Sequence, residues 1–255
     1  MNGSIARASA ICVGLLAGAG VHEARAQGPV PDHVEILAAE PAKAVAWYAA
    51  HMGGVSTQAD RVAYGGMQLI IHKENEELGS RIDHVAIGVA DLDAKVRELT
   101  AAGAKLLTRP GELPVKTAFV QDPWGAVIEV VEEPVPLGFH HIHLRSADPG
   151  ATARRYQELF GGNRELFKGK IDGVFYGQVW LLVSKPTGAA PAVNIFNHLA
   201  FLVRDFDTTF AELQKKGLKP ITEFEAVRGL KAIYIGGPDG QPVEIIQRPA
   251  AAPKP

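Results

Sequence analysis

Two glutamates stand inside runs of aliphatic residues, Glu129 in VIEVV and Glu244 in VEII. Four histidines each open an alternating apolar stretch: His33 in HVEIL, His84 in HVAIGV, His141 in HIHL and His198 in HLAFLV. Apolar neighbours on both sides of a strand carboxylate imply burial on both faces, because strand side chains alternate with a period of two. A carboxylate removed from water costs several kcal/mol unless it is paired, hydrogen-bonded or bound to a metal. His84 precedes Glu129 by 45 residues and His198 precedes Glu244 by 46, so each carboxylate has an imidazole at one spacing. A strand-initial histidine also suits a hydrogen-bonded core position. The buried glutamates are harder to satisfy that way, and they carry the metal reading.

The segments that must position these residues are copies of one another. DHVAIGVADLDAKVRELTAAGAKL from Asp83 aligns with NHLAFLVRDFDTTFAELQKKGLKP from Asn197, and DPWGAVIEVVEEP aligns with GPDGQPVEIIQRP. DHVEILAAEPAKAVAWYAAHMGG from Asp32 aligns with HHIHLRSADPGATARRYQELFGG from His140. The chain order is therefore A, B, A′, B′, an internal repeat with one histidine at the same place in every unit. Each unit reads as a strand, a helix and two or three further strands. In unit B, Asp91 and Asp93 suit a helix start by capping and by the helix dipole. Leu92, Val96 and Leu99 recur at helical spacing, and Gly103 suits the helix end. Pro41 and Pro149 suit the first helical position of the A units. Linkers fall at Glu132 to Gly138, between AB and A′B′, and at Lys185 to Asn194. KENEELGS from Lys73 is a charged loop.

These motifs resemble the vicinal oxygen chelate superfamily: glyoxalase I, bleomycin- and fosfomycin-resistance proteins, and extradiol ring-cleaving dioxygenases. The resemblance runs from about Val30 to Arg248 and rests on the four strand-initial histidines, the Gly-Gly helix ends of the A units, and DPWGAVIE with GPDGQPVE. It implies an α+β fold in which four βαβββ modules pair into two curved-sheet domains, 30–133 and 138–248, A with B and A′ with B′. It also implies divalent metal ligands: His33, His84 and Glu129 in the first domain, and His141, His198 and Glu244 in the second. The metal expected is Fe, Mn, Zn or Ni. Two imidazoles and a carboxylate on one side of such an ion leave positions open for substrate. For a fourth ligand the first half offers Gln68, with His72 further on, where the second half has Trp180.

His143 follows His141 by two residues and faces the same side, as an acid–base group or an alternative ligand. Tyr234 precedes Glu244 by ten residues, where ring-cleaving members carry a catalytic tyrosine; Phe119 holds the matching place before Glu129. These two residues make the second half the expected catalytic one. EAVRGLKAIY lacks the histidine that ring-cleaving members place before that tyrosine, and Gly237 departs from their pattern too. The expected activity is that of a lyase, isomerase or dioxygenase acting on a small oxygen-bearing substrate. Sequestration of a ligand without chemistry, as in bleomycin resistance, is the alternative.

Composition bounds the partners. With 47% apolar and 21% charged residues and a net charge of −2, nothing calls for nucleic acid or an anionic membrane. Arg7, an apolar run from Ala8 to Val21 and Ala24-Arg25-Ala26 read as a cleavable signal peptide over residues 1–26. Cleavage would remove Cys12, the sole cysteine, so the expected mature chain is secreted or periplasmic and free of thiols. PAAAPKP from Pro249 is too rich in Pro and Ala to pack. A homodimer, and exchange of modules between chains, are both compatible with the repeat.

Overall fold

The computed structural model describes residues 28–73, 80–108, 111, 113–133, 137–187, 195–222, 225–227 and 229–249. The leader expected over 1–26 and the tail after Pro249 lie outside the described residues, as do 74–79, 134–136 and 188–194 of the expected loops. Four modules of strand, helix and three strands follow one another. Module A holds β1 (Val30–Leu37), α1 (Pro41–His51), β2 (Val55–Gln58), β3 (Arg61–Tyr64) and β4 (Met67–His72). Module B holds β5 (Ile82–Val89), α2 (Leu92–Ala101), β6 (Lys105–Leu107), β7 (Thr117–Gln121) and β8 (Val127–Glu132). Module A′ holds β9 (Gly138–Arg145), α3 (Pro149–Phe160), β10 (Asn163–Phe167), β11 (Ile171–Phe175) and β12 (Trp180–Ser184). Module B′ holds β13 (Phe196–Leu202), α4 (Phe206–Lys215), β14 (Glu225–Val227), β15 (Leu230–Gly236) and β16 (Pro242–Gln247).

Local chemistry sets the helix ends. The carboxylates of Asp91, Asp148 and Asp205 accept from the backbone N–H groups of Ala94, Ala151 and Thr208, capping α2, α3 and α4. Pro41 and Pro149 open α1 and α3, where a missing N–H costs no helical hydrogen bond. Gly103, at φ +94°, turns the chain out of α2 in a conformation that disfavours a β-carbon.

The strands form two eight-stranded sheets, ordered β14-β15-β16-β13-β1-β4-β3-β2 and β10-β11-β12-β9-β5-β8-β7-β6. The first sheet unites A with B′ and the second unites B with A′. This corrects the pairing expected from sequence, A with B and A′ with B′. Linker length supplies a physical reason. The shortest inter-module connection, Glu133 to Leu137, joins β8 to β9, both of which flank β5. Crossing one strand requires roughly 10 Å, twice the inter-strand spacing, which five residues span with slack. The other connections are longer, 73–81 and 185–195, and so closing B onto A′ restricts the least chain.

The helices pair the other way. Trp47 Nε1 on α1 donates to the Ala102 carbonyl at the end of α2 (2.8 Å), and Tyr48 Oη donates to Asp122 Oδ2 (2.6 Å). Across the second half, Arg155 on α3 donates to the Lys216 carbonyl and Lys216 Nζ donates to the Glu158 carbonyl, both at 2.6 Å. One apolar core runs through both sheets, from Val34, Ile36 and Leu69 to Leu199, Phe201 and Ile245. Sheets therefore join modules across the two halves while helices join them within each half. Among the described residues no helix is long and apolar enough to cross a membrane.

The pairing is open to a direct test. Val30 and Leu202 are Cα partners at the outer end of β1 and β13, a separation of about 5 Å that a disulfide bridges. In a Cys12→Ser background, the double substitution Val30→Cys, Leu202→Cys is expected to oxidise to an intramolecular disulfide. Persistence of two titratable thiols would return module A to module B.

Candidate metal centres

Strand register brings the four histidines and two glutamates into two clusters. In the first sheet His33 pairs with Ala200 and Ala200 pairs with Glu244, a row across β1, β13 and β16, with His198 two residues before Ala200. In the second sheet His141, Ala86 and Glu129 form the matching row across β9, β5 and β8, with His84 two residues before Ala86. The central alanine of each row is fully buried and small, and so the longer side chains on either side meet above it. His33 Nε2 lies 3.1 Å and His198 Nε2 3.4 Å from Glu244 Oε2, with 3.3 Å between the two nitrogens. His141 Nε2 lies 3.2 Å and His84 Nε2 3.3 Å from Glu129 Oε2, again with 3.3 Å between the nitrogens. The two triangles agree to within about 0.1 Å on every edge, as expected of copied strands with unchanged register.

A second feature recurs at each histidine. The register skips Asp32, Asn197, Asp83 and His140, the residues immediately before the four histidines. Each skip is a β-bulge, which re-aims the extra side chain towards the face its neighbour uses. His33 Nδ1 thereby contacts Asp32 Oδ2 (2.7 Å), His84 Nδ1 contacts Asp83 Oδ1 (2.8 Å) and His198 Nδ1 contacts Asn197 Oδ1 (3.3 Å). His141 Nδ1 meets His140 Nδ1 at 2.8 Å, and His140 Nε2 meets Glu133 Oε2 at 3.2 Å. Arg145 Nε in turn donates to Asp83 (3.0 Å), and Arg248 donates to Asp32. An acceptor on Nδ1 places the imidazole proton there and leaves the Nε2 lone pair facing the cluster, the support that metal-bound histidines use. Sequence reading passed over these four residues, although the Asp-His, Asp-His, His-His and Asn-His pairs were visible in it.

Imidazoles balance the charge of each buried carboxylate. Burial pushes the Glu244 carboxyl up, but hydrogen bonds with His198 and His33 outweigh it and hold the group at about 2. The same balance, with His141 and His84, holds Glu129 well below the usual carboxylate range. Burial works against a charged His33, yet Asp32 and Glu244 raise it to about 9; Asp83 and Glu129 raise His84 likewise. Burial takes His141 down to about 4 despite Glu129, and takes His143 well below its ordinary value with help from the His84 and His141 charges. Without a metal, a proton on His33 or His84 is the counter-charge. Glu129 Oε1 is buried and accepts no hydrogen bond among the described residues, an oxygen placed for a further cationic partner. For donors about 2.1 Å from an ion, edges of this length subtend about 100°, between octahedral and tetrahedral angles. The donor sets fit a divalent metal.

The six residues named from sequence as ligands thus all lie in the clusters, but in different groupings. His33 joins His198 and Glu244, while His141 joins His84 and Glu129. The two proton-transfer candidates also separate. Tyr234 sits over the first cluster, its ring 4.8 Å from that of His198, and Phe119 takes the same place 5.2 Å from His84 in the second. His143 belongs to the second cluster, opposite His84 in register, with ring centroids 4.6 Å apart and Nε2 2.9 Å from Ser184 Oγ. It therefore does not share a site with Tyr234, which corrects the expectation that both serve one centre in the second half. Glu35 occupies the corresponding place in the first cluster and pairs with His72 Nδ1 at 3.0 Å, so His72 is turned to Glu35. Gln68 lies beside His33 in register and Trp180 beside His141.

Comparison with known proteins agrees with this architecture. Residues 33–131 match the profile of a glyoxalase-like domain, and residues 138–245 match that of the glyoxalase/bleomycin resistance protein/dioxygenase superfamily. No curated protein sequence matches the chain significantly. Among solved structures, glyoxalase I from Zea mays superposes with a TM-score of 0.66 at 17% identity, covering 86% of this chain and 92% of that one. A putative dioxygenase from Bacillus subtilis subsp. subtilis str. 168 gives 0.64 at 16% identity, covering 88% and 87%. At these identities the likeness is one of fold.

Two outcomes follow from the geometry. Ala200→Leu fills the space above which His33 and Glu244 meet, and is expected to lower bound metal by one equivalent per chain with the second cluster unaffected; unchanged metal content would refute the row. The second concerns the metal-free protein. His33 is raised from 6.5 to about 9 on folding, so its stabilisation is complete below about 6.5 and lost as pH rises through about 9. Urea denaturation is expected to show a decline of about 3 kcal/mol at most across that window. In His33→Gln the window should flatten.

Proposed function

Since the chain belongs to the glyoxalase/bleomycin resistance protein/dioxygenase superfamily, we propose that it is an exported, metal-dependent enzyme whose working centre is His33, His198 and Glu244. The substrate class is a small molecule with two adjacent oxygens, such as a catechol or an α-hydroxycarbonyl compound. A divalent ion held there, Fe, Mn, Zn or Ni, would supply Lewis acidity to both oxygens or, as Fe(II), the means of using O2. The observation that carries this reading is the 3.1–3.4 Å donor triangle set on one side of a face where Tyr234 and Gln68 are also present.

Each neighbour has a defined task. Asp32, backed by Arg248, fixes the His33 ring and its tautomer. Asn197 does the same for His198. The Tyr234 hydroxyl holds or moves the proton at the nearer substrate oxygen, its ring fixed edge-on against His198. Gln68, partly exposed beside His33, offers an amide to orient the second oxygen. Export rests on the leader pattern of residues 1–26 and places this chemistry outside the cytoplasm.

A second reading, ligand sequestration without turnover, is favoured by one observation. A groove of about 740 Å³ opens between modules A and A′, lined among others by Tyr64, Phe139, Phe167, Phe175, Trp180 and Lys168. None of the cluster donors lines it. The two readings part experimentally. Protein stripped of metal and reloaded singly with Fe, Mn, Zn or Ni is assayed on catechols and on hemithioacetals of 2-oxoaldehydes. Turnover with one metal is expected, and Tyr234→Phe is expected to lower kcat by about 10²–10⁴ with metal content unchanged. A thermal shift induced by an aromatic ligand that survives both chelator and His198→Ala, with no turnover on any metal, would establish sequestration instead.

A further inference from the structure

The two clusters share a ligand plan but have diverged around it. In the second, a donor atom of His143 lies within 4.8 Å of those of His84, Glu129 and His141. In the first, the matching residue Glu35 is engaged by His72, and the cluster has three members. We propose that the second cluster holds its metal with four protein donors, His84, Glu129, His141 and His143, as a closed structural site. This rests on the reading that both clusters bind metal and that the first performs the chemistry.

Three observations support closure. The first is the His143 side chain itself. Its ring stands 4.6 Å from that of His84, its Nε2 meets Ser184 Oγ at 2.9 Å, and one of its ring nitrogens lies within 4.8 Å of the other three donors. The second is access. All four donors are at most 1% exposed, against 2% for His33, 1% for His198 and 7% for Glu244, and the face they occupy is packed with Leu113, Val131, Phe167, Ile171 and Leu182. The corresponding face of the first sheet carries, among the described residues, the smaller group Ala200, Ala232 and Ile246. The third is the loss of polar groups suited to a substrate. Phe119 replaces Tyr234 and Trp180 replaces Gln68, so hydroxyl and amide give way to aromatic rings. Four buried N/O donors would satisfy a tetrahedral ion completely, which distinguishes structural from catalytic zinc sites. A site that leaves one position open has the opposite requirement.

The full chain loaded with Co(II) tests this, because four-coordinate Co(II) absorbs strongly in the visible and six-coordinate Co(II) weakly. Two equivalents are expected, one with the intense band and slow release to chelator, the other weakly absorbing and fast. His143→Gln is expected to abolish the intense band and speed release of that equivalent at least about tenfold, and His143→Leu, which keeps an apolar side chain of similar bulk, should do the same. Survival of the intense band in both variants, or equal release of both ions in the wild type, would overturn the proposal. Glu129→Ala and His198→Ala separate it from the reading beneath. If Glu129→Ala leaves stoichiometry at its wild-type value, the second cluster binds no metal and the proposal fails. If His198→Ala alone does so, the catalytic assignment of the first cluster fails while the closed site stands.

Discussion

The antiparallel pairing of module-opening strands, β1 with β13 and β5 with β9, is the constraint on which the rest of the molecule depends. Each pair brings two histidines from different modules within 3.3 Å of one another. Each pair also contains two bulges, and each bulge turns the preceding residue onto a histidine Nδ1. Without that pairing Glu129 and Glu244 would be buried carboxylates with half their partners missing, at a cost of several kcal/mol each. With it, each carboxylate faces two imidazoles, and His33 or His84 is poised to carry the proton that balances it.

A regular strand would send Asp32 to the opposite face from His33, and into the apolar core beside Val34. One inserted residue moves the carboxylate onto the histidine and leaves the outward alternation of β1 unchanged beyond it. At three of the four histidines the partner is an Asp or Asn, whereas at His141 it is His140, passed on to Glu133 and Lys168. The fourth support is longer and reaches the surface, which gives the second cluster a different electrostatic anchor.

Interlocking explains how two halves make one molecule. Sheets join modules across the halves and helices join them within, so neither half closes a cluster alone. Each sequence match to a glyoxalase-like domain covers one half, yet each cluster draws on both. The repeat accommodates this exchange, since β1 and β9, like β5 and β13, carry a histidine at the same place. Divergence then proceeded independently at the positions flanking the donors, with Glu35, Gln68 and Tyr234 on one side and His143, Trp180 and Phe119 on the other.

The repeat, the strand–helix–strand plan of each unit, the Asp91 cap and the six histidines and glutamates that cluster were legible in the sequence. Each is set by local rules: period-two alternation, a capping aspartate, and a glutamate among aliphatic residues that must find a charge. Which donors meet was not legible. His33 pairs equally well with His84 or His198 as far as their own strands are concerned, because both partners carry the same pattern. Connection length and whole-chain packing made that choice, and it moved His143 away from Tyr234. The bulges were hidden for a related reason: an Asp before a His takes its meaning only from the partner strand that skips it. Sequence determined the parts and their chemistry, and tertiary pairing decided which parts share a centre.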